Sequence, residues 1–162
     1  MYSLGDGLAK NTSLNALTLT MNNYSDMSGD RMYVLGHGLA KTTSLNALTL
    51  TINTYSDMSG DWMYGLGDGL ANNTSLNVLT LTFNNYSDMS GDWMDVLGVG
   101  LAKNTSLSAL TLTISNYSDV SGDWMYSLGD GLAKNTSLNA LTLTVNNYSD
   151  ISGDWMGRLG DS

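Results

Sequence analysis

The 162-residue chain has no cysteine, no glutamate and a single histidine, and each shortage closes off some chemistry. Without cysteine there are no disulfides and no thiolate metal sites, and the redox compartment stays open. His37 has no cysteine or glutamate to work with, and it occupies a slot that is aspartate at Asp6, Asp68 and Asp130. A general base or an activated nucleophile needs a partner within reach. The sequence therefore predicts no enzyme, no catalytic residue, no metal and no cofactor. Basic residues are also scarce: six Lys and Arg face fifteen Asp, for a formal charge of −9. That balance disfavours a nucleic-acid backbone or an anionic membrane as partner. No apolar run approaches the roughly 20 residues of a membrane helix, and Met1-Tyr2-Ser3-Leu4-Gly5 lacks the basic head and apolar middle of a signal peptide.

What is abundant is repetition. Leu14-Asn15-Ala16-Leu17-Thr18-Leu19-Thr20-Met21-Asn22 returns nearly unchanged at Leu45, Leu76, Leu107 and Leu138, a step of 31 residues. Such regularity means a stacked array with one supersecondary unit per copy. Residues 1–162 thus read as a single array of about five repeats, uncapped at both ends. It is either a section of a longer array or a protomer whose ends stack on other copies. Functional residues must be sought in columns.

Within a repeat, Met1, Leu4 and Leu8 are spaced as a helical apolar stripe, so Leu4 to Lys10 predicts a short helix. Its glycines, Gly5 and Gly7 here and Gly65, Gly67 and Gly69 in the third copy, each cost about 1 kcal/mol relative to alanine. Close approach of neighbouring helices is the expected compensation. Ser59-Gly60-Asp61-Trp62 and its equivalents supply a Ser or Asp N-cap to the later helices. Asn11-Thr12-Ser13 ends the helix. Leu14, Leu17 and Leu19 then follow the strand period, with Leu17 and Leu19 inward and Ala16, Thr18 and Thr20 outward. Asn22 is placed after the strand, where its amide satisfies a turning backbone. Its copies Asn53, Asn84 and Asn146 are expected to form a ladder that Ser115 weakens. Tyr24, Tyr55, Tyr86, Tyr117 and Tyr148 are expected to bury their rings beneath the turn.

The pattern Leu14-x-x-Leu17-x-Leu19-x-x-Asn22-x-Tyr24 resembles the leucine-rich repeat. The preceding Leu-x-x-x-Leu-x-x-Asn-Thr-Ser-Leu resembles the ribonuclease-inhibitor-like subclass found in NLR-type receptors. The unit exceeds the usual roughly 20–29 residues, with the surplus around Asp26-Met27-Ser28-Gly29-Asp30, and Tyr24 stands where an aliphatic is usual. The resemblance implies an α/β leucine-rich-repeat solenoid, a horseshoe arc with one short parallel strand and one short helix per repeat. It also implies a concave sheet used for protein recognition and a cytoplasmic setting.

The concave face is then the expected binding surface. It carries one row of Thr18, Thr49, Thr80, Thr111 and Thr142 and another of Thr20, Thr51, Thr82, Thr113 and Thr144, flanked by Ala16, Ala47, Val78, Ala109 and Ala140. Only Met21, Ile52, Phe83, Ile114 and Val145 vary from copy to copy, so this strip is the leading contact candidate, with packing beneath the loop as its structural alternative. The expected partner is a protein ligand, or further copies stacked end to end into a filament. Ice or polysaccharide binding through the Thr-Leu-Thr rows is a lesser alternative. Asn11, Asn23, Asn73, Asn85, Asn104, Asn116, Asn135 and Asn147 head glycosylation sequons, as does Asn72, and would be used if the chain is extracellular. Asp26 with Asp30, and so on to Asp150 with Asp154, form oxygen-rich columns that match no cation-loop spacing. Trp62, Trp93, Trp124 and Trp155, with Arg31 in the first copy, read as structural stacking between units.

Overall fold

Helices and strands alternate along the computed structural model, which describes residues 3–24, 30–56, 62–87, 92–118 and 124–148. The order is α1 (Leu4–Lys10), β1 (Ala16–Asn23), α2 (Asp30–Lys41), β2 (Ala47–Thr54), α3 (Trp62–Asn72), β3 (Val78–Asn85), α4 (Asp92–Lys103), β4 (Ala109–Asn116), α5 (Trp124–Lys134) and β5 (Ala140–Asn147). The strands form one parallel sheet in chain order. Each residue pairs with its equivalent one repeat later, as in Leu17 with Leu48 and Leu48 with Leu79. This register follows from the side-chain period of two. A slip of one residue would turn every leucine to the open face.

The core lies between sheet and helices. Leu48, Leu50, Leu79, Leu81, Leu110 and Leu112 enter it from the strands, and Leu35, Leu39, Leu66, Leu70, Leu97 and Leu101 from the helices, all buried. The methionine column belongs there as well, with Met32, Met63, Met94 and Met125 at most 1% exposed.

Alternation runs on past Leu19, and this overturns two expectations. Met21 is two residues beyond Leu19 and so faces inward with the leucines. Ile52, Phe83 and Ile114 are at most 1% exposed, and Met21 and Val145 pack half-buried against the same core. The variable strip is therefore core, not a concave contact surface. Tyr24, two beyond Asn22, falls on the open side, and all five tyrosines of its column are exposed rather than buried beneath a turn.

The short first helix is as expected, but the later ones reach 11 or 12 residues. At α1, Ser3 accepts from the Asp6 N–H while the Asp6 carboxylate accepts from the Ser3 N–H, a reciprocal capping box. The expected caps around Ser59-Gly60-Asp61 lie outside the described residues.

Glycines let the helices touch backbone to backbone. A Cβ on Gly69 would lie 2.6 Å from the Gly36 carbonyl oxygen, and one on Gly100 2.6 Å from that of Gly67. Gly7, in contrast, has open space around it. The propensity lost in these helices is thus returned as close packing, as the sequence predicts. Among the described residues no helix is long and apolar enough to cross a membrane.

Candidate functional site

Three sets of ties between neighbouring repeats hold the strands that carry the open face. The first lies where each helix hands over to its strand. The Asn104 Oδ1 accepts from the Ser106 N–H at 3.0 Å and the Leu107 N–H at 2.7 Å, closing the turn. Its Nδ2 donates to the Leu70 carbonyl of the preceding helix at 2.7 Å, which satisfies a helix end. Asn73 and Asn135 repeat the arrangement on Leu39 and Leu101. Ser75, Ser106 and Ser137 each donate to a leucine carbonyl one repeat back, at 2.9 Å.

The second tie is on the open face. Asn53 Nδ2 donates to Asn22 Oδ1 and Asn84 Nδ2 to Asn53 Oδ1, both at 2.7 Å. These asparagines lie inside the strands, not after them, since Asn22 and Asn53 belong to β1 and β2. The run changes at Ser115, where only a longer 3.3 Å bond arrives from Asn146. The third tie is buried on the core side of the same strands. Asn85 Nδ2 donates to Asn116 Oδ1 at 2.7 Å, and Asn116 Nδ2 to Asn147 Oδ1 at 2.8 Å. Sequence reasoning misses this second amide ladder because its members Asn85, Asn116 and Asn147 carry sequons; Asn23, in the same column, donates instead to the Ser56 hydroxyl at 3.2 Å. Their column position, two past an inward apolar residue, was the available signal.

The sequon asparagines are mostly committed to the fold. Asn23, Asn73, Asn85, Asn104 and Asn116 are buried, Asn135 and Asn147 half-buried, and Asn11 and Asn72 exposed. A glycan on Nδ2 of Asn73 or Asn104 would have to displace the bond to the preceding helix.

The open face then reads, along each strand, as rows of Ala, Thr, Thr, Asn and Tyr. Thr49, Thr51, Thr80, Thr82, Thr111 and Thr113 are half-buried between their neighbours, while Thr18, Thr20, Thr142 and Thr144 on the outer strands are exposed. At the end of each strand the main-chain ladder continues by one more bond, such as the Tyr55 N–H to the Asn23 carbonyl at 2.8 Å and the Tyr117 N–H to the Asn85 carbonyl at 2.8 Å. That bond holds the tyrosines at strand spacing. Their rings stack with centroids 4.7, 4.7, 4.5 and 4.6 Å apart and within 9° of parallel.

The remaining candidates fall elsewhere. His37 is exposed on α2, where it lines a shallow pocket with Ser3, Asp6, Tyr33 and Val34. The Asp6 carboxyl opposite it on α1 is held below its usual range, first by the hydroxyl and then by the backbone N–H of Ser3. Trp93 and Trp124 are buried, and Trp93 packs on Phe83 at 4.8 Å and a tilt of 59°. Side chains at Arg31, Trp62 and Trp155 lie outside the described residues. So do the paired Asp columns, and among the described residues no acidic or histidine cluster could hold a metal ion. A groove of about 310 Å³ on the helix side is lined by Tyr64, Gly67, Asp68, Ala71, Asp95, Val96, Val99 and Lys103. There the fourth repeat departs from the others, with Asp95 in a tyrosine column and Val99 in an aspartate column.

Solved structures share this arrangement. The chain is similar to the tropomodulin C-terminal domain from Caenorhabditis elegans, with a TM-score of 0.60 and 15% identity over 98% of this chain and 90% of that one. It is equally similar to actin-binding site 2 of leiomodin-1, with a TM-score of 0.60 and 16% identity over 99% and 92%. The fold is a leucine-rich-repeat solenoid. No protein-family model and no curated protein matches the chain. At such identities the likeness is one of fold, and it does not reach the ribonuclease-inhibitor-like subclass that the repeat motif resembles. In this solenoid the columns stack in register, so each residue type becomes a continuous row.

Proposed function

We propose that the chain is a non-enzymatic protein-recognition scaffold that binds through the open face of its sheet. The observation that carries this reading is the face itself. Five strands present rows of hydroxyl, amide and phenol groups, and no described element covers them. Such rows offer polar contacts with little rotamer entropy to lose, since neighbouring strands already hold each side chain. The leiomodin-1 domain is named as an actin-binding site, which supports protein binding as a use of this architecture. The repeat motif's resemblance to NLR-type arrays points to the same class of task.

Cross-linking from the native source tests the proposal, with partner capture compared between the natural chain and two variants. Thr111→Arg places a long cation on the open face, beside the central strand, and is expected to abolish capture. Val99→Arg, on the opposite helix face, is expected to leave it unchanged. Capture that survives Thr111→Arg but is lost in Val99→Arg would transfer recognition to the helix side.

A further inference from the structure

The tyrosine row differs from the Asn row in its hydrogen bonding and from the Thr rows in being stacked ring on ring. The amides of the Asn row bond to one another, whereas none of the five tyrosine hydroxyls is hydrogen-bonded to another described residue. Tyr55, Tyr86 and Tyr117 are 42–44% exposed, although each is stacked on both faces. Their ring faces are thus occupied, and what they offer is a ribbed wall of ring edges and free phenol donors. Its pitch is fixed at 4.5–4.7 Å. As the largest side chains on this face, the rings stand beside the lower Asn and Thr rows like the riser of a step.

A partner that gains from that wall must bring acceptors and repeat in phase with it. An α-helix turns every ~5.4 Å and drifts out of step within two rings. An extended strand repeats about every 6.7 Å and meets only every third ring. A polyproline II segment rises about 3.1 Å per residue with three residues per turn, so it repeats about every 9.3 Å, which is two ring spacings. Its carbonyls have no internal hydrogen bonds, and proline rings pack well on aromatic walls. At these spacings the row from Tyr24 to Tyr148 is about 18 Å long, enough for about two such turns. These 162 residues contain no proline, so the segment lies outside them, and a formal charge of −9 favours basic flanks on it.

We infer that the row Tyr24, Tyr55, Tyr86, Tyr117 and Tyr148 is a docking site for a proline-rich segment in polyproline II conformation flanked by lysine or arginine. Tyr24, Tyr86 and Tyr148 donate to its carbonyls, and the ring edges of Tyr55 and Tyr117 between them pack against its pyrrolidines. This inference rests on the scaffold reading above and names the class of partner.

Isothermal titration of the folded chain tests it with a peptide of about eight prolines carrying two lysines at each end, against the same lysines on a Gly-Ser core. The proline peptide is expected to bind at least about tenfold more tightly than the control. Tyr86→Phe keeps the stacked ring but removes the central donor, and is expected to weaken binding about fivefold. Tyr86→Ala opens a gap in the wall and is expected to abolish binding, with the fold checked by circular dichroism. If that variant unfolds, the phenylalanine variant decides alone. Equal heats from the two peptides, or undiminished affinity in Tyr86→Phe together with Tyr86→Ala, overturn the inference. A protein captured through the open face by a chain that ignores the proline peptide would overturn it too, while leaving the scaffold standing.

Discussion

The sheet side and the helix side of this solenoid hold their repeats together by opposite means. On the sheet side, neighbouring units are joined by added groups: the main-chain ladder, two amide rows and a stack of phenols. On the helix side they are joined by what is missing, because glycines at Gly36, Gly67 and Gly69 leave no Cβ between one helix backbone and the next. Hydrogen bonds set the strand spacing wherever the sequence permits a parallel ladder. Helix spacing is set by side-chain bulk, and only a glycine column brings it down. The comparison teaches that the polar rows on the sheet and the weak helix formers opposite are two parts of one spacing requirement.

The largest expected effect concerns the sheet side. Phe83→Ala removes a ring that is 0% exposed and packed on Trp93, and should cost about 3–5 kcal/mol in urea denaturation. A cost near zero would return the variable strip to the surface. On the helix side, Gly100→Ala forces a methyl against the Gly67 backbone and should cost about 1–3 kcal/mol. Gly7→Ala, in open space, should instead gain about 0.5–1 kcal/mol from helix propensity. The two glycines then change stability in opposite directions, and equal signs would break the comparison. A smaller gain is expected where the open-face amide row is interrupted. Ser115→Asn should restore it and raise stability by about 0.5–1 kcal/mol, read as a shift in the urea midpoint.

The smallest effect is electrostatic. Ser3 holds the Asp6 carboxyl below its ordinary range in the folded chain. Its contribution to α1 is therefore present above the ordinary aspartate range and is lost as pH falls through the lowered value. An NMR titration of Asp6 should show this depression, and Ser3→Ala should remove most of it.

Much of this was legible in the sequence. The repeat length, the parallel strands, the inward leucines, the outward threonines and the close helix approach all follow from spacing and composition. The errors share one cause. Ending the strand before Asn22 stops the alternation two residues early, which leaves Met21 at an exposed rim and Tyr24 underneath. The strand continues because the Asn22 and Asn23 columns supply their own cross-repeat bonds, so residues that usually signal a turn extend the sheet here. The sequons misled in the same way. Asn104 carries the motif of a sugar acceptor, but both ends of its amide are used inside the protein. Nothing in a single repeat shows this, because the partner carbonyl belongs to the repeat before.

The residue-for-residue register between consecutive strands has a consequence for how such a gene can change. Excising one whole unit from the middle joins a strand to a neighbour with almost the same side chains as the one it lost, and inserting a unit does the same in reverse. Unequal crossing-over within the coding sequence would thus yield shorter or longer proteins that still fold, and reach along the array could vary between alleles while the chemistry of each seam stays the same.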